Sequence, residues 1–203
     1  MDLTVAAVTF GTIFLVELPD KTFIAALVLS TRFSPLAVWV GVALAFAVQT
    51  GVAVTAGALA TLLPDTVIRT VALLIFLAGA FVLVGTAPGA DASEKEQEEE
   101  YAAKAGEAGS ASFVKAAVAS FLILFAAEWG DLSQLLTISL VTKYQEHLSV
   151  FLGAWAALLA VSGLAVIAGR VLLRYLRLSV LHYVGAAVCL LLAGLTLYEL
   201  VTG

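Results

Sequence analysis

Apolar stretches long enough to cross a lipid bilayer occupy most of this chain of 203 residues. A bilayer-spanning helix needs about 20 predominantly apolar residues, and windows of that length predict six spans here. Their predicted bounds are Leu3–Leu29, Leu36–Leu63, Val67–Thr86, Phe113–Val141, Val150–Leu173 and Val180–Val201. The composition agrees, because 62% of the residues are hydrophobic and only 12% are charged. The sequence therefore predicts an all-α membrane protein, and no basic tract indicates a nucleic-acid partner.

Two short acidic motifs interrupt the first and the fourth of these predicted spans. Residues Glu17–Thr22 read E-L-P-D-K-T, and residues Glu128–Gln134 read E-W-G-D-L-S-Q. A Glu and an Asp three residues apart lie on one face of a continuous helix, so each motif predicts two carboxylates that point the same way. An ionised carboxylate at membrane depth costs about 2.5–3.5 kcal/mol even on the mildest scales. Four of them imply a compensating cation.

The two motifs also indicate an internal duplication. Aligning their glutamates superposes two further pairs of similar side chains, Asp20 with Asp131 and Thr22 with Ser133. Each half carries three predicted spans, an odd number, so the second half must enter the membrane in the opposite sense. This arrangement is the inverted-topology repeat of many transporters. We predict a first three-helix repeat at 1–87, an acidic linker at 88–112 and a second three-helix repeat at 113–203.

The distribution of basic residues predicts the orientation of the chain in the membrane. Two basic residues, Arg69 and Lys143, fall on the side away from the linker. Seven fall on the linker's side: Arg32, Lys95, Lys104, Lys115, Arg170, Arg174 and Arg177. By the positive-inside rule, we expect a multi-pass protein of the cell membrane with a cytoplasmic linker and both termini outside.

The predicted site offers hard oxygen donors. We predict four metal ligands and five supporting or charge-balancing side chains: Glu17, Asp20, Glu128 and Asp131 as ligands, and Lys21, Thr22, Ser133, Gln134 and Gln49 as support. No Cys or His lies near either motif, so the donor set suits Ca²⁺, Mn²⁺ or Mg²⁺.

Several supporting residues also have a structural interpretation. Lys21 is either a charge-balancing group in the site or an i,i+4 ion-pair partner of Glu17. Thr22 and Ser133 either face the ion or return hydrogen bonds to their own helix. Gln49 either lines the ion path or forms an interhelical hydrogen bond.

Charge balance suggests the exchange partner of the metal. Four carboxylates around one dication leave an excess of about two negative charges, of which Lys21 offsets one and protonation can offset more. A site that is stable with either a dication or protons is the minimum that a cation/proton exchanger requires.

The motifs resemble those of the GDT-one family of cation/Ca²⁺ exchangers, small membrane proteins associated with Mn²⁺ and Ca²⁺ transport coupled to protons. That family carries two copies of E-x-G-D-[KR]-[ST], the second usually extended by Gln. The resemblance covers the whole chain and implies six spans and a metal site formed by the four carboxylates. Two residues depart from the pattern: Pro19 replaces the Gly of the first copy, and Leu132 replaces the basic residue of the second. The expected site therefore has one positive charge fewer.

We accordingly expect a secondary transporter and not an enzyme, one that exports Mn²⁺ from the cytoplasm in exchange for protons, with Ca²⁺ as the other candidate. The ions are substrates, and no cofactor is expected. An exporter of amino acids or other small solutes is one alternative, although a carboxylate substrate would need basic groups at mid-membrane. An intramembrane metal-dependent hydrolase would need an asymmetric set of base, nucleophile and oxyanion donors. Assembly into a homo-oligomer is left open.

Overall fold

The computed structural model describes residues 1–18, 20–106, 112–175 and 178–202. Within these ranges the chain forms nine α-helices and no strand. Their bounds are Leu3–Glu17 (α1), Lys21–Arg32 (α2), Pro35–Ala60 (α3), Asp65–Thr86 (α4), Ala90–Ala105 (α5), Phe113–Ala127 (α6), Leu132–Tyr144 (α7), His147–Tyr175 (α8) and Leu178–Thr202 (α9). A single 3₁₀ turn, Ala87–Gly89, joins α4 to α5.

The first and fourth predicted spans are each interrupted at their acidic motif. Helix α1 ends at Glu17 and α2 begins at Lys21, while α6 ends at Ala127 and α7 begins at Leu132. The axes of α6 and α7 differ by 73°. The prediction that Glu and Asp share one face of a continuous helix is therefore wrong. Gly130 supplies the physical reason in the second motif, since its φ of +79° is a left-handed conformation that a glycine adopts without steric penalty.

The remaining predicted spans are single helices. Among the described residues, α3, α4, α8 and α9 are long and apolar enough to cross a membrane, and the bent pair of α6 and α7 raises the number to five. Helix α1 is apolar but short, and its junction with α2 contains Pro19, which lies outside the described residues. An all-helical membrane protein is thus confirmed, while the six-span inverted repeat and the three domain boundaries stay predictions.

Equivalent glycines make equivalent contacts between the two halves. Gly41 of α3 lies against the backbone carbonyl of Ala117 in α6, and Gly153 of α8 lies against the backbone carbonyl of Ala6 in α1. Ala6 and Ala117 are 111 positions apart, the same spacing as the acidic motifs, and the two glycines are 112 positions apart, one more. This agreement supports the duplication at the level of packing, where small residues let helix backbones approach closely.

Two tryptophans join α3 and α8 in a reciprocal way. The indole nitrogen of Trp39 donates to the Leu159 carbonyl at 3.2 Å, and that of Trp155 donates to the Ala43 carbonyl at 3.0 Å. Each tryptophan therefore bonds to a carbonyl four residues after the other tryptophan in the sequence. The pairing runs forward along one helix and backward along the other, so the two helices are antiparallel here. Both bonds satisfy an indole N–H that could not find water inside a bilayer.

Alanine at either of these glycines should destabilise the fold. A methyl group at Gly41 or Gly153 would overlap a backbone carbonyl of the neighbouring helix, and overpacking of this kind costs about 1–3 kcal/mol. We expect Gly41→Ala and Gly153→Ala to lower the melting temperature of the detergent-solubilised protein. Gly11→Ala is the matched control, because a methyl group there meets no atom within 4 Å. A Gly41→Ala protein as stable as Gly11→Ala would contradict the close approach.

The acidic linker is not wholly solvated. Its helix α5 packs against α2 and, to a smaller extent, against α9. Ala90 and Tyr101 are buried, whereas Glu96, Glu99 and Glu100 are exposed. The acidic linker predicted at 88–112 therefore exposes its glutamate face and buries the face that contacts the bundle.

Candidate metal centre

The two helix breaks bring all four predicted ligands together. Glu17 ends α1 and Asp20 caps the start of α2; Glu128 follows α6 and Asp131 precedes α7. One carboxylate oxygen from each of the four residues lies within 4.8 Å of the others. Small shifts of these oxygens would bring all four to the metal–oxygen distances of about 2.0–2.6 Å that a bound divalent cation requires.

Two of the carboxylates, Glu17 and Glu128, are buried, Asp20 and Asp131 are partly buried, and much of the cluster has no hydrogen-bond partner. Glu17 is 1% exposed and Glu128 is 2% exposed. Among the described residues, four of their oxygens have no partner: Glu17 Oε2, both oxygens of Glu128, and Asp131 Oδ2. Because an unpaired buried charge is strongly destabilising, this cluster requires either a cation or protons. Burial and crowding therefore make the cluster chemically able to exchange one for the other.

The helix ends add to the electrostatics of the site. Asp20 and Asp131 sit at helix N-termini, where the free N–H groups and the dipole favour negative charge. The backbone N–H of Lys21 donates to Asp20 Oδ1 at 2.7 Å. Glu17 and Glu128 sit at helix C-termini, where the carbonyls favour a cation. The two helix breaks therefore place free backbone N–H groups and free backbone carbonyls beside the carboxylates, as at the discontinuous helices of transporters.

Two supporting residues contact the carboxylates directly. The Thr22 hydroxyl donates to Glu17 Oε1 at 2.6 Å, across the break between α1 and α2. Lys21 Nζ lies 3.4 Å from Asp131 Oδ1, so its ion pair joins the two motifs. In the described residues Lys21 therefore pairs with Asp131 and not with Glu17 in an i,i+4 ion pair. Its charge-balancing role stays a prediction.

The other three supporting residues differ in what they do. Ser133 is buried at the start of α7. Gln134 Oε1 accepts the Gly130 backbone N–H at 3.1 Å, which ties the bend to α7. Gln49 Nε2 donates to the Phe125 carbonyl at 3.0 Å, one of the carbonyls that the end of α6 leaves free. Gln49 thus forms the interhelical hydrogen bond that was one of its two interpretations, and a ligand role for any of the three stays a prediction.

The hydroxyl of Thr22 should matter for metal binding. We expect Thr22→Val, which keeps the shape and removes the donor, to weaken Mn²⁺ binding about tenfold, since a hydrogen bond to a charged group is worth about 1.5–3 kcal/mol. Isothermal titration of the purified protein measures this effect. Thr9→Val is the control, because the buried Thr9 hydroxyl has no partner among the described residues. Equal affinities of the two variants would remove Thr22 from the site.

Two residues near the site were missed by sequence reasoning, and both lie on α5. Tyr101 is 3% exposed; burial raises the pKa of its hydroxyl, and the nearby Glu128 and Asp20 carboxylates add to the effect. Gln97 lines a cavity that Asp20 and Asp131 also line. A signal was present in the sequence, since Tyr101 is the only aromatic residue of the linker and Gln97 its only amide.

Broken helices that meet at four carboxylates, two of them buried and two partly buried, define a helical membrane protein with a candidate cation site between its halves. The chain belongs to the divalent cation/proton antiporter GDT1 family, whose sequence profile matches residues 5–91 and 116–203. The resemblance drawn from the two motifs is thereby confirmed.

Individual relatives cover the chain to different extents. Protein PAM71, chloroplastic, of Arabidopsis thaliana is 33% identical over 97% of this chain and 57% of its own length. A GDT1-like protein of Synechocystis is 33% identical over 76% of this chain and 80% of its own length. A chloroplastic GDT1-like protein 1 of indica rice is 29% identical over 96% of this chain and 62% of its own length. The chain thus spans little more than half the length of the plant relatives, and no solved structure matches it.

Proposed function

We propose that this protein is a secondary transporter that exports Mn²⁺ from the cytoplasm in exchange for protons, with Ca²⁺ as the alternative cation. The observation that carries the proposal is the cluster of Glu17, Asp20, Glu128 and Asp131, whose oxygens converge within 4.8 Å and are mostly unpartnered. Membership of a divalent cation/proton antiporter family supports the same exchange.

The charges of the site account for exchange in place of permanent binding. Four carboxylates and the Lys21 ammonium carry a net charge of about −3 when all are ionised, and a bound dication leaves about −1. Two or more protons bound in place of the dication give a similar net charge, because each proton neutralises one carboxylate. Neither state leaves a highly charged cluster in a low-dielectric interior, so both are accessible.

The ligand chemistry favours a hard dication over the alternatives. Carboxylates with hydroxyl and carbonyl oxygens suit Mn²⁺ and Ca²⁺, while Mg²⁺ gives up its water reluctantly. An exported amino acid would need a cation for its own carboxylate, and Lys21 already contacts Asp131. A hydrolase would need asymmetric roles, whereas the two motifs contribute the same side chains in the same order. A purely structural subunit would give no role to four clustered carboxylates, two of which are buried.

The broken helices provide the moving parts. Rocking of the α1–α2 pair and the α6–α7 pair would open the carboxylates first to one face of the membrane and then to the other. In the proposed orientation the α5 linker is cytoplasmic and both termini are outside, in a multi-pass arrangement in the cell membrane. Protons entering from outside would then release the cation there.

Uptake into proteoliposomes under an imposed pH gradient tests the proposal. Vesicles loaded at low pH are diluted into a higher pH, and accumulation of Mn²⁺, Ca²⁺ and Mg²⁺ is compared. We expect Mn²⁺ accumulation that collapses when a protonophore removes the gradient, slower or equal Ca²⁺ accumulation, and the least Mg²⁺. Accumulation indifferent to the gradient would contradict proton exchange, and accumulation of an amino acid in its place would favour the alternative exporter.

A further inference from the structure

A cavity of about 230 Å³ adjoins the carboxylate cluster on the side of the linker. Asp20 and Asp131 form part of its lining, and α5 contributes Ser93 and Gln97. His182 of α9 also lines it. A polar cavity of this size holds several water molecules, so it can hold a small hydrated ion.

The polar groups around the cavity are suited to a positively charged guest. Gln97 Oε1 and Asp131 Oδ2 are both buried and have no hydrogen-bond partner among the described residues. The Ser93 hydroxyl donates its proton to the Ala90 carbonyl at 3.1 Å, which leaves its oxygen as an acceptor. The three residues that carry these acceptors all line the cavity, as do Asp20, Thr86 and His182. A buried acceptor without a partner is destabilising, and a cation or its bound water would satisfy it.

Helix α5 holds these oxygens in place. The buried Ala90 and Tyr101 belong to the main apolar core, one before and one after Ser93 and Gln97 in the chain. The exposed glutamates of the same helix face away from the bundle. The position of Gln97 is therefore fixed by packing and is not that of a solvated linker residue.

We propose that this cavity is a vestibule in which a partly hydrated divalent cation binds before it reaches the four carboxylates, and that Gln97 and Ser93 supply neutral oxygen ligands there. The proposal rests on the proposed function and assigns the linker helix a part in transport. Amide and hydroxyl oxygens replace water ligands one at a time, and they bind weakly enough to let the ion move on. This exchange favours cations that lose water readily over Mg²⁺, so Gln97 is a specificity-determining residue.

Steady-state transport measured from the linker's side tests the role of Gln97. We expect Gln97→Leu to raise the KM for Mn²⁺ about tenfold, the effect of losing one neutral polar contact, with kcat and the KM from the opposite side unchanged. Gln97→Glu, which keeps an oxygen acceptor at this position, should have the KM of the unsubstituted protein or a lower one. Glu99→Gln is the control: it removes an exposed charge from the same helix and should leave the KM unchanged. An unchanged KM in a folded Gln97→Leu protein would overturn the proposal.

A second measurement needs no transport. Ser93→Cys should react with a cationic methanethiosulfonate reagent added on the linker's side, and Mn²⁺ should slow the reaction. The unmodified protein, whose Cys189 is buried, gives the background. Modification that Mn²⁺ does not slow would contradict a cation in the vestibule. If the protein without any substitution failed to exchange Mn²⁺ for protons, the proposed function would be overturned instead. The two failures are therefore distinguishable.

Discussion

Replacing Asp131 by asparagine is expected to abolish Mn²⁺/proton exchange while leaving the protein inserted and folded. Asparagine keeps the shape and still serves at a helix N-terminus, but it removes one of four charges that surround the ion. At about 4 Å and an effective dielectric constant of about 20, a unit charge contributes roughly 4 kcal/mol, so even a fraction of it reduces affinity at least about 100-fold. Transport into proteoliposomes and Mn²⁺ tolerance of expressing cells both measure the loss. Asp20→Asn should behave in the same way.

A matched control separates the charge from the cap. Asp2 caps α1 as Asp20 caps α2, and it accepts from the N–H groups of Thr4 and Val5. These hydrogen bonds lower the pKa of the Asp2 carboxyl, so it is ionised at neutral pH. Asp2→Asn should leave transport unchanged. Normal Mn²⁺ tolerance in cells that carry only Asp131→Asn would refute the assigned site.

Removing the charge of Lys21 should have the opposite effect on affinity. The ammonium lies 3.4 Å from Asp131 Oδ1, close enough to repel a bound dication. We expect Lys21→Gln to bind Mn²⁺ about tenfold more tightly, since part of the Coulomb gain is offset by desolvation. Turnover should fall, because release becomes slower. Equilibrium binding measured beside the transport rate reveals both changes.

The control for this variant is Lys104→Gln. Lys104 pairs with Glu100 on the exposed face of α5, and such surface pairs contribute little. It should change neither affinity nor turnover. If Lys21→Gln instead weakened Mn²⁺ binding, Lys21 would be holding Asp131 in place and would not be balancing charge.

The sequence predicted which carboxylates lie close together but not how the helices bring them together. Carboxylates in apolar segments are recognisable from residue type alone, and the four that were predicted do converge. Their convergence does not come from a shared helix face, however. It depends on a left-handed Gly130 and on a new helix beginning after Asp131. Local sequence predicts a weak point at Gly130 but does not predict the 73° bend, because the bend is set by packing of α7 against α3 and α4.

The pairing of α3 could not be predicted for a similar reason. Small residues recur every fourth position along more than one face of this helix, and spacing alone does not say which face is buried. The structure buries the face that carries Gly41, Ala45, Ala53 and Gly57. Its partners come from the other half of the chain, Ala117 of α6 and Val141 of α7. Contacts this distant in sequence leave no local signal.

Leu132 illustrates a departure that the structure explains in part. The equivalent residue of the first motif is Lys21, which reaches across to Asp131. Leu132 instead packs next to Gly79 of α4 and lines the vestibule. The two motifs therefore contribute equal carboxylates but unequal charge, and the asymmetry lies on the side where α5 contacts the bundle.

The most direct test of the central claim is to ask whether a gradient of Mn²⁺ drives protons across the membrane in the opposite direction. Proteoliposomes with equal pH on both sides and a clamped membrane potential receive external Mn²⁺, and a pH-sensitive dye reports the lumen. Exchange at the four carboxylates predicts that the lumen becomes alkaline as Mn²⁺ enters, and that Asp131→Asn vesicles show no change. Mn²⁺ entry with no proton movement, or with acidification of the lumen, would contradict the account.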